Sequence, residues 1–335
     1  MSVGVPICSI FNEVIGAFIT TNTPANAALR APLQGVTTQG YFQDQSDGQS
    51  TYHSLQVSVT RRLSKGLQLL GSYTFSKSID NASGAGGAGG GNALDSGILQ
   101  GNQRDNRANR GLSDFDRKHR AVVSFLWELP SIQSSESGGV KEALLAGWQV
   151  AGIATMMSGQ PIDIIDTFAG SLYGLAGGLP LARPNFAPGA TIASATSNVP
   201  SGYFFNPFAF ARPIVTPGQL IPSSNGTATA AAAGTDIGNV GRNVLRGPRQ
   251  NNLDLSIIKR FNVWRSSSLE FRTEFFNVFN HVNLAAPVSD LNAVISSGGS
   301  INPATGEIIN PGSFGKITAA SNNPRIIQFA LKLSF

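Results

Sequence analysis

Arg325-Ile-Ile-Gln-Phe-Ala-Leu-Lys-Leu-Ser-Phe335 alternates between two kinds of side chain. Ile327, Phe329, Leu331, Leu333 and Phe335 fall on one face, and Gln328, Ala330, Lys332 and Ser334 on the other, with Ile326 the large apolar exception. Successive side chains of a strand point to opposite sides, so this is a strand with one apolar face. Ordinary strands average about 5–6 residues, whereas a tilted strand that crosses a bilayer core needs about 9–11. The stretch has the second length, and it predicts a transmembrane β-strand closing on a C-terminal phenylalanine.

Composition points the same way. Only 13% of the 335 residues are charged and 38 are glycine, unlike helical water-soluble proteins. No run of about 18 apolar residues occurs, which excludes a helical membrane span; the 41% hydrophobic residues are spread out by alternation. A net charge of +5 would suit nucleic acid, but the basic residues are scattered and not interleaved with stacking aromatics. No nucleic-acid partner is expected. Cys8 is the single cysteine, so it forms neither an internal disulfide nor, by itself, a metal site. The first basic residue is Arg30, and Asn12-Glu13 interrupts the early apolar stretch, so no export signal is visible. Because a barrel protein must be exported, the expectation is a C-terminal piece of a longer chain.

Six further strands are predicted. Tyr52–Arg62 sets Leu55, Val57 and Val59 against Ser54, Gln56, Ser58 and Thr60, and Leu63-Ser64-Lys65-Gly66 turns it into Leu67–Lys77. His119–Leu129 aligns Ala121, Val123, Phe125, Trp127 and Leu129 and stops at Pro130. Gly147–Met157, Asn252–Phe261 and Ser268–Phe279 complete the set. The links between strands run short, long, medium, very long, short, long, the alternation of turns and loops that a transmembrane barrel requires. Seven strands is odd and fewer than the eight or more usual in bacterial barrels, so an arc of about 7–9 strands of a larger antiparallel β-barrel is expected.

With the strands placed, several stretches resemble the barrel of TonB-dependent receptors, the large type with an N-terminal carboxypeptidase-regulatory-like domain. They are Tyr52-His-Ser-Leu-Gln-Val-Ser-Val-Thr-Arg-Arg-Leu-Ser-Lys-Gly66, Gly71-Ser-Tyr-Thr-Phe-Ser-Lys-Ser-Ile-Asp80 and Arg110-Gly-Leu-Ser-Asp-Phe-Asp-Arg-Lys-His-Arg120. Gly147-Trp-Gln-Val-Ala-Gly152, Ser158-Gly-Gln-Pro161, Gly241-Arg-Asn-Val-Leu-Arg-Gly-Pro248 and Glu270-Phe-Arg-Thr-Glu-Phe-Phe-Asn-Val-Phe-Asn-His281 follow in the same order. The resemblance covers the chain from about Thr20 and corresponds to the C-terminal third of such a receptor, whose barrel has about 22 strands around a plug. It implies residues 1–51 as a loop or N-terminal barrel segment and 52–335 as barrel wall, with no signal peptide, energy-coupling box or plug recognisable. It implies residence in a Gram-negative-type outer membrane and partners in membrane lipid and the barrel-assembly machinery. An inner-membrane energy-coupling complex would act only through a plug. The implied activity is energised uptake of a bulky ligand by the intact protein. A passive or structural barrel fragment, or a secreted β-rich carbohydrate-binding protein, is the alternative.

Candidate sites follow from the strand faces. Glu270, Arg272 and Glu274 share one face of their strand opposite Leu269, Phe271 and Phe275; a basic group facing lipid at midplane costs about 2–4 kcal/mol. They are expected to face the lumen, together with Gln328 and Lys332. Phe335 is expected to be part of the terminal signal for barrel assembly, as the resemblance implies. Asp114, Asp116 and His119 read as a charge cluster beside Arg117, Lys118 and Arg120 rather than as metal ligands or an acid–base set. Gly84-Ala-Gly-Gly-Ala-Gly89 matches a dinucleotide fingerprint formally but precedes no amphipathic helix, so it reads as a surface loop. Tyr203-Phe-Phe-Asn-Pro-Phe-Ala-Phe210 is expected to pack inside folded loops. No nucleophile motif sits in a strand-to-helix setting, and no enzyme activity, cofactor or metal is expected.

Overall fold

A computed structural model describes residues 6–12, 17–21, 48–81, 83, 107, 109–130, 146–166, 183–213, 238–264 and 267–335. Seven long strands form its wall: β1 (Ser50–Ser64), β2 (Leu67–Asp80), β3 (His119–Glu128), β4 (Trp148–Met157), β5 (Gln250–Trp264), β6 (Ser267–Phe276) and β7 (Ile326–Ser334). Each pairs antiparallel with its neighbours in sequence order, giving one sheet that runs from β1 to β7. Gly111–Leu112 adds a short rung beside the end of β2. Pro6–Asn12 and Ala17–Thr21 form a separate hairpin. The sheet is not closed among the described residues: β1 and β7 each have one unpaired edge. Most of the segment 1–51 and the glycine run Gly84–Gly89 lie outside the described residues.

The seven strands coincide with those expected, and several are longer; β1 and β5 reach 15 residues. The β1–β2 turn shows why the chain reverses there. Lys65 and Gly66 both take positive φ, 51° and 76°, the pattern of a two-residue turn whose twist matches that of the strands it joins. Gly66 is also pressed against β3: it accepts a hydrogen bond from the Glu128 N–H at 2.7 Å, and a Cβ there would meet the Glu128 carbonyl oxygen at 2.5 Å.

Register sorts the side chains into two faces, since residues directly opposite in an antiparallel pair point the same way. Leu55, Phe75, Val57 and Tyr73 share one face with Phe125, Trp127, Val150, Leu255, Ile257, Phe271, Phe275, Phe329 and Leu331. No second sheet covers this face among the described residues, so Phe329 and Leu331 are 67% and 69% exposed. Leu55, Val57, Val59, Trp127 and Phe271 are exposed as expected, whereas Phe125 and Phe275 are half-buried. For Phe125 the reason is local: its ring lies over Gly152 of β4, where a Cβ would come within 2.7 Å of it.

The three long connections, 81–118, 158–249 and 277–325, leave the same end of the sheet. They do not run separately. Ile162, Ile164, Phe205, Phe210, Val240, Leu245, Leu291, Val294, Ile301, Ile308 and Phe314 form a buried core shared by the second and third connections, and Asp114 and Asp116 of the first pair with Arg242 and Arg246 of the second. Phe205, Phe210 and Phe314 meet edge to face at 5.2–6.0 Å, the arrangement that aromatic quadrupoles favour. Two short helices, α1 (Ile192–Thr196) and α2 (Asn292–Ser296), belong to this layer, and Thr191 and Ser194 cap α1 reciprocally. The packing of Tyr203–Phe210 inside folded loops thus extends much further than that segment, and the long connections hold the main apolar core of the described chain. No helix among the described residues is long and apolar enough to cross a membrane.

Candidate functional site

The face opposite the apolar one carries Gln56, Ser58, Ser72, Ser124, Asp254, Ser256, Arg260 and the five residues singled out from the sequence. In register, Glu270 stands opposite Lys332, Arg272 opposite Ala330 and Glu274 opposite Gln328. Arg272 donates to Glu270 at 2.9 Å and lies 3.5 Å from Glu274, while Arg260 of β5 donates to Glu270 at 2.8 Å. The structure thus brings Glu270, Arg272, Glu274, Gln328 and Lys332 onto one face as a ladder of alternating charge. Arg260 extends the ladder; sequence reading passed over it because Ser256 and Ile258 separate it from Asp254, the other charge on that face of its strand.

Next to the ladder, a cavity of about 510 Å³ is lined by Gln68, Ser124, Ile153, Asp254, Ser256 and Glu274, drawn from β2 to β6. A hollow bounded by side chains from five successive strands lies on the inner side of a curved sheet, so the polar face is the concave one. The lining combines apolar surface with amide, hydroxyl and carboxylate groups, the mixture suited to holding a polar molecule by several weak contacts.

Phe335 follows the end of β7 and is 96% exposed. Its ring continues the row of Phe329, Leu331 and Leu333, on the apolar side of an edge strand.

The second site is the junction between the loop layer and the rim. Arg242 donates to Asp80 at 2.6 Å, to Asp114 at 2.9 Å and to the Ser83 carbonyl at 2.7 Å. Asn243, at positive φ, donates from its side chain to the Leu112 carbonyl and to Asp114, and its backbone N–H donates to Asp163. Arg246 pairs with Asp116, whose other oxygen accepts from the Ser78 N–H at 2.6 Å. The resembling stretches 110–120, 158–161 and 241–248 are therefore parts of one assembly. Gly159 lies so close to the 241–248 segment that a Cβ would be 1.8 Å from the Gly247 carbonyl oxygen. Asp114 and Asp116 serve as ion-pair partners from a distant segment, and His119 stands apart, its Nδ1 2.8 Å from the Tyr73 hydroxyl.

A buried pair locks the other half of the layer. Arg212 grips Asp166 with two hydrogen bonds of 2.7 and 3.0 Å, and their side chains are 1% and 0% exposed. The Arg212 N–H donates to Gly306, tying connection 158–249 to connection 277–325. Burial pushes the Asp163 carboxyl up to about 6, with Arg183, 3.6 Å away, only partly offsetting it. Burial also raises Asp114, against the pull of Asn243 and Arg242. Tyr203–Phe210 packs into this layer through Phe205 and Phe210, with the Tyr203 hydroxyl donating to Gly312.

A family model described as an outer membrane beta barrel domain matches residues 5–328, nearly the whole chain. No curated protein and no solved structure gives a significant match. The open antiparallel wall, its apolar convex face and the family match agree. The chain belongs to the outer membrane beta barrel family, which points to the outer membrane as its location.

Proposed function

We propose that this outer-membrane barrel domain is the wall and loop layer of a TonB-dependent receptor, which in the intact protein takes up a bulky ligand with energy delivered by an inner-membrane complex through a plug. The observation that carries this reading is the tying of the three long connections to one another and to the rim: Arg242 and Arg246 pair with Asp80, Asp114 and Asp116, and the Arg212 backbone N–H donates to the Gly306 carbonyl. A passive pore gains from loops that leave its mouth free, whereas a layer held by ion pairs suits gated passage. The concave ladder of Arg260, Glu270, Arg272 and Glu274, with Lys332 and Gln328 beside it, offers a plug or a polar ligand paired charges that exchange partners at small cost. The wall acts by shape and charge, with no covalent chemistry on the ligand. Phe335, beside the free edge of β7, is read by the barrel-assembly machinery.

The test uses the full gene product in intact cells, in a Cys8→Ser background with Ser256→Cys in the concave cavity. Labelling by a membrane-impermeant maleimide added outside should fall when a protonophore collapses the energy gradient. Labelling that ignores the gradient, whether rapid or absent, favours the passive or structural barrel and overturns the receptor reading.

A further inference from the structure

The apolar face carries a pattern that transport does not require. Followed strand by strand through the registers, it holds no aspartate and no glutamate on any of the seven strands. All carboxylates of the wall fall on the concave face. The apolar face does hold basic side chains, and only towards its two rims. Arg61 and Lys259 lie at the turn side; His53, Lys77 and His119 lie at the loop side. The loop-side set is a cluster: His53 is directly opposite Lys77, and His119 is directly opposite Phe75, one step along the same face from Lys77. Directly opposite residues have Cβ atoms about 4.5–5.5 Å apart and diagonal ones about 7–8 Å, a span that one phosphate group bridges.

All three side chains are exposed. His119 is also oriented. Its ring lies against Phe75 at 5.1 Å and stacks on Tyr73 at 6.2 Å, and the Tyr73 hydroxyl holds Nδ1. The hydroxyl thus engages Nδ1 and leaves Nε2 as the ring nitrogen open to a headgroup. The turn-side Lys259 is different: it is buried, bonded to the Ala146 carbonyl and placed over the Trp148 and Phe261 rings, so its charge is already occupied.

We propose that His53, Lys77 and His119 form a site for the phosphate of a lipid headgroup in the leaflet on the loop side. The acyl chains would lie along Leu55, Val57 and Tyr73 below it, which a free phosphate does not need. The site concerns the membrane-facing surface and holds whether or not the barrel transports a ligand.

The experiment is native mass spectrometry of the full chain in detergent micelles, with diphosphorylated lipid A, its dephosphorylated form, phosphatidylcholine and inorganic phosphate as probes. Wild type should retain lipid A in preference to the dephosphorylated form and phosphatidylcholine, and millimolar inorganic phosphate should not displace it. The variant His53→Ala/Lys77→Ala/His119→Ala should lose about tenfold in retention, the scale set by charge-assisted hydrogen bonds. Arg61→Ala, on the same face at the opposite rim, should retain lipid A fully. Heat-modifiable gel mobility confirms that each variant is folded. Equal loss in Arg61→Ala would mean diffuse electrostatics, displacement by inorganic phosphate would mean a free-anion site, and full retention by the triple variant would mean no site; each overturns the proposal.

Discussion

Arg242 joins two segments more than a hundred residues apart through Asp80 and Asp114, and its side chain is almost wholly buried. Removing one partner of a buried ion pair strands the other charge and costs about 3–5 kcal/mol. Arg242→Ala should therefore loosen the loop layer, seen as faster proteolysis between residues 81 and 118, with β-sheet content unchanged. Arg242→Lys should restore only part of the loss, because a point charge cannot reproduce the forked geometry. Asp163 gives a pH signature. Its carboxyl, at about 6 against an ordinary 3.8, keeps its proton in the folded chain over a range where the unfolded chain has released it. The group's contribution to stability thus declines as pH rises from about 4 to 6 and is level above that. The wild-type loop layer should lose protease resistance over that window relative to Asp163→Asn; a difference that is flat with pH would count against the assignment. Gly159→Ala should destabilise the layer by about 1–3 kcal/mol, since its Cβ has no room beside Gly247, measured as a lower temperature for heat-modified mobility.

At the scale of elements, the strands were legible and the loop layer was not, for a physical reason. A strand announces itself locally: Leu55, Val57 and Val59 need only their own chain neighbours to show the period of two. The loop core is assembled from Ile164, Phe210, Val240, Leu291 and Phe314, which share no periodicity and meet only after the chain has returned three times. Asp114 and Asp116 read as a charge cluster beside Arg117, Lys118 and Arg120, because their partners Arg242 and Arg246 lie in a distant segment. The alternation in Leu269–Glu274 did place Glu270, Arg272 and Glu274 on one face, while Arg260 needed the β5–β6 register to be seen. On the proposal that β7 carries the assembly signal, Phe335→Ala should lower the fraction of full-length protein inserted in the outer membrane, with synthesis and export unchanged. Phe335→Trp, which keeps an aromatic beside the free edge, should insert nearly as wild type. Quantifying inserted against periplasmically degraded protein checks both.

For the molecule as a whole, the decisive contrast lies between adjacent residues. Leu255 and Ser256 sit at the middle of β5, one on the uncovered apolar face and one in the concave cavity. Leu255→Arg should cost about 2–4 kcal/mol for folding into lipid vesicles, and Ser256→Arg much less. Denaturant titration in vesicles measures both, and equal penalties would contradict the assignment of faces. The count of strands has a consequence of its own. β1 enters its short turn from the loop side, and β7 descends from a long connection, so with seven strands between and including them both free edges point the same way. Laid against each other, or against the opposite edge of a second copy, they would make a parallel seam. A cylinder that is antiparallel all the way round is reached only by adding an odd number of strands: the parity of the arc, before any question of ligand, restricts what completes it.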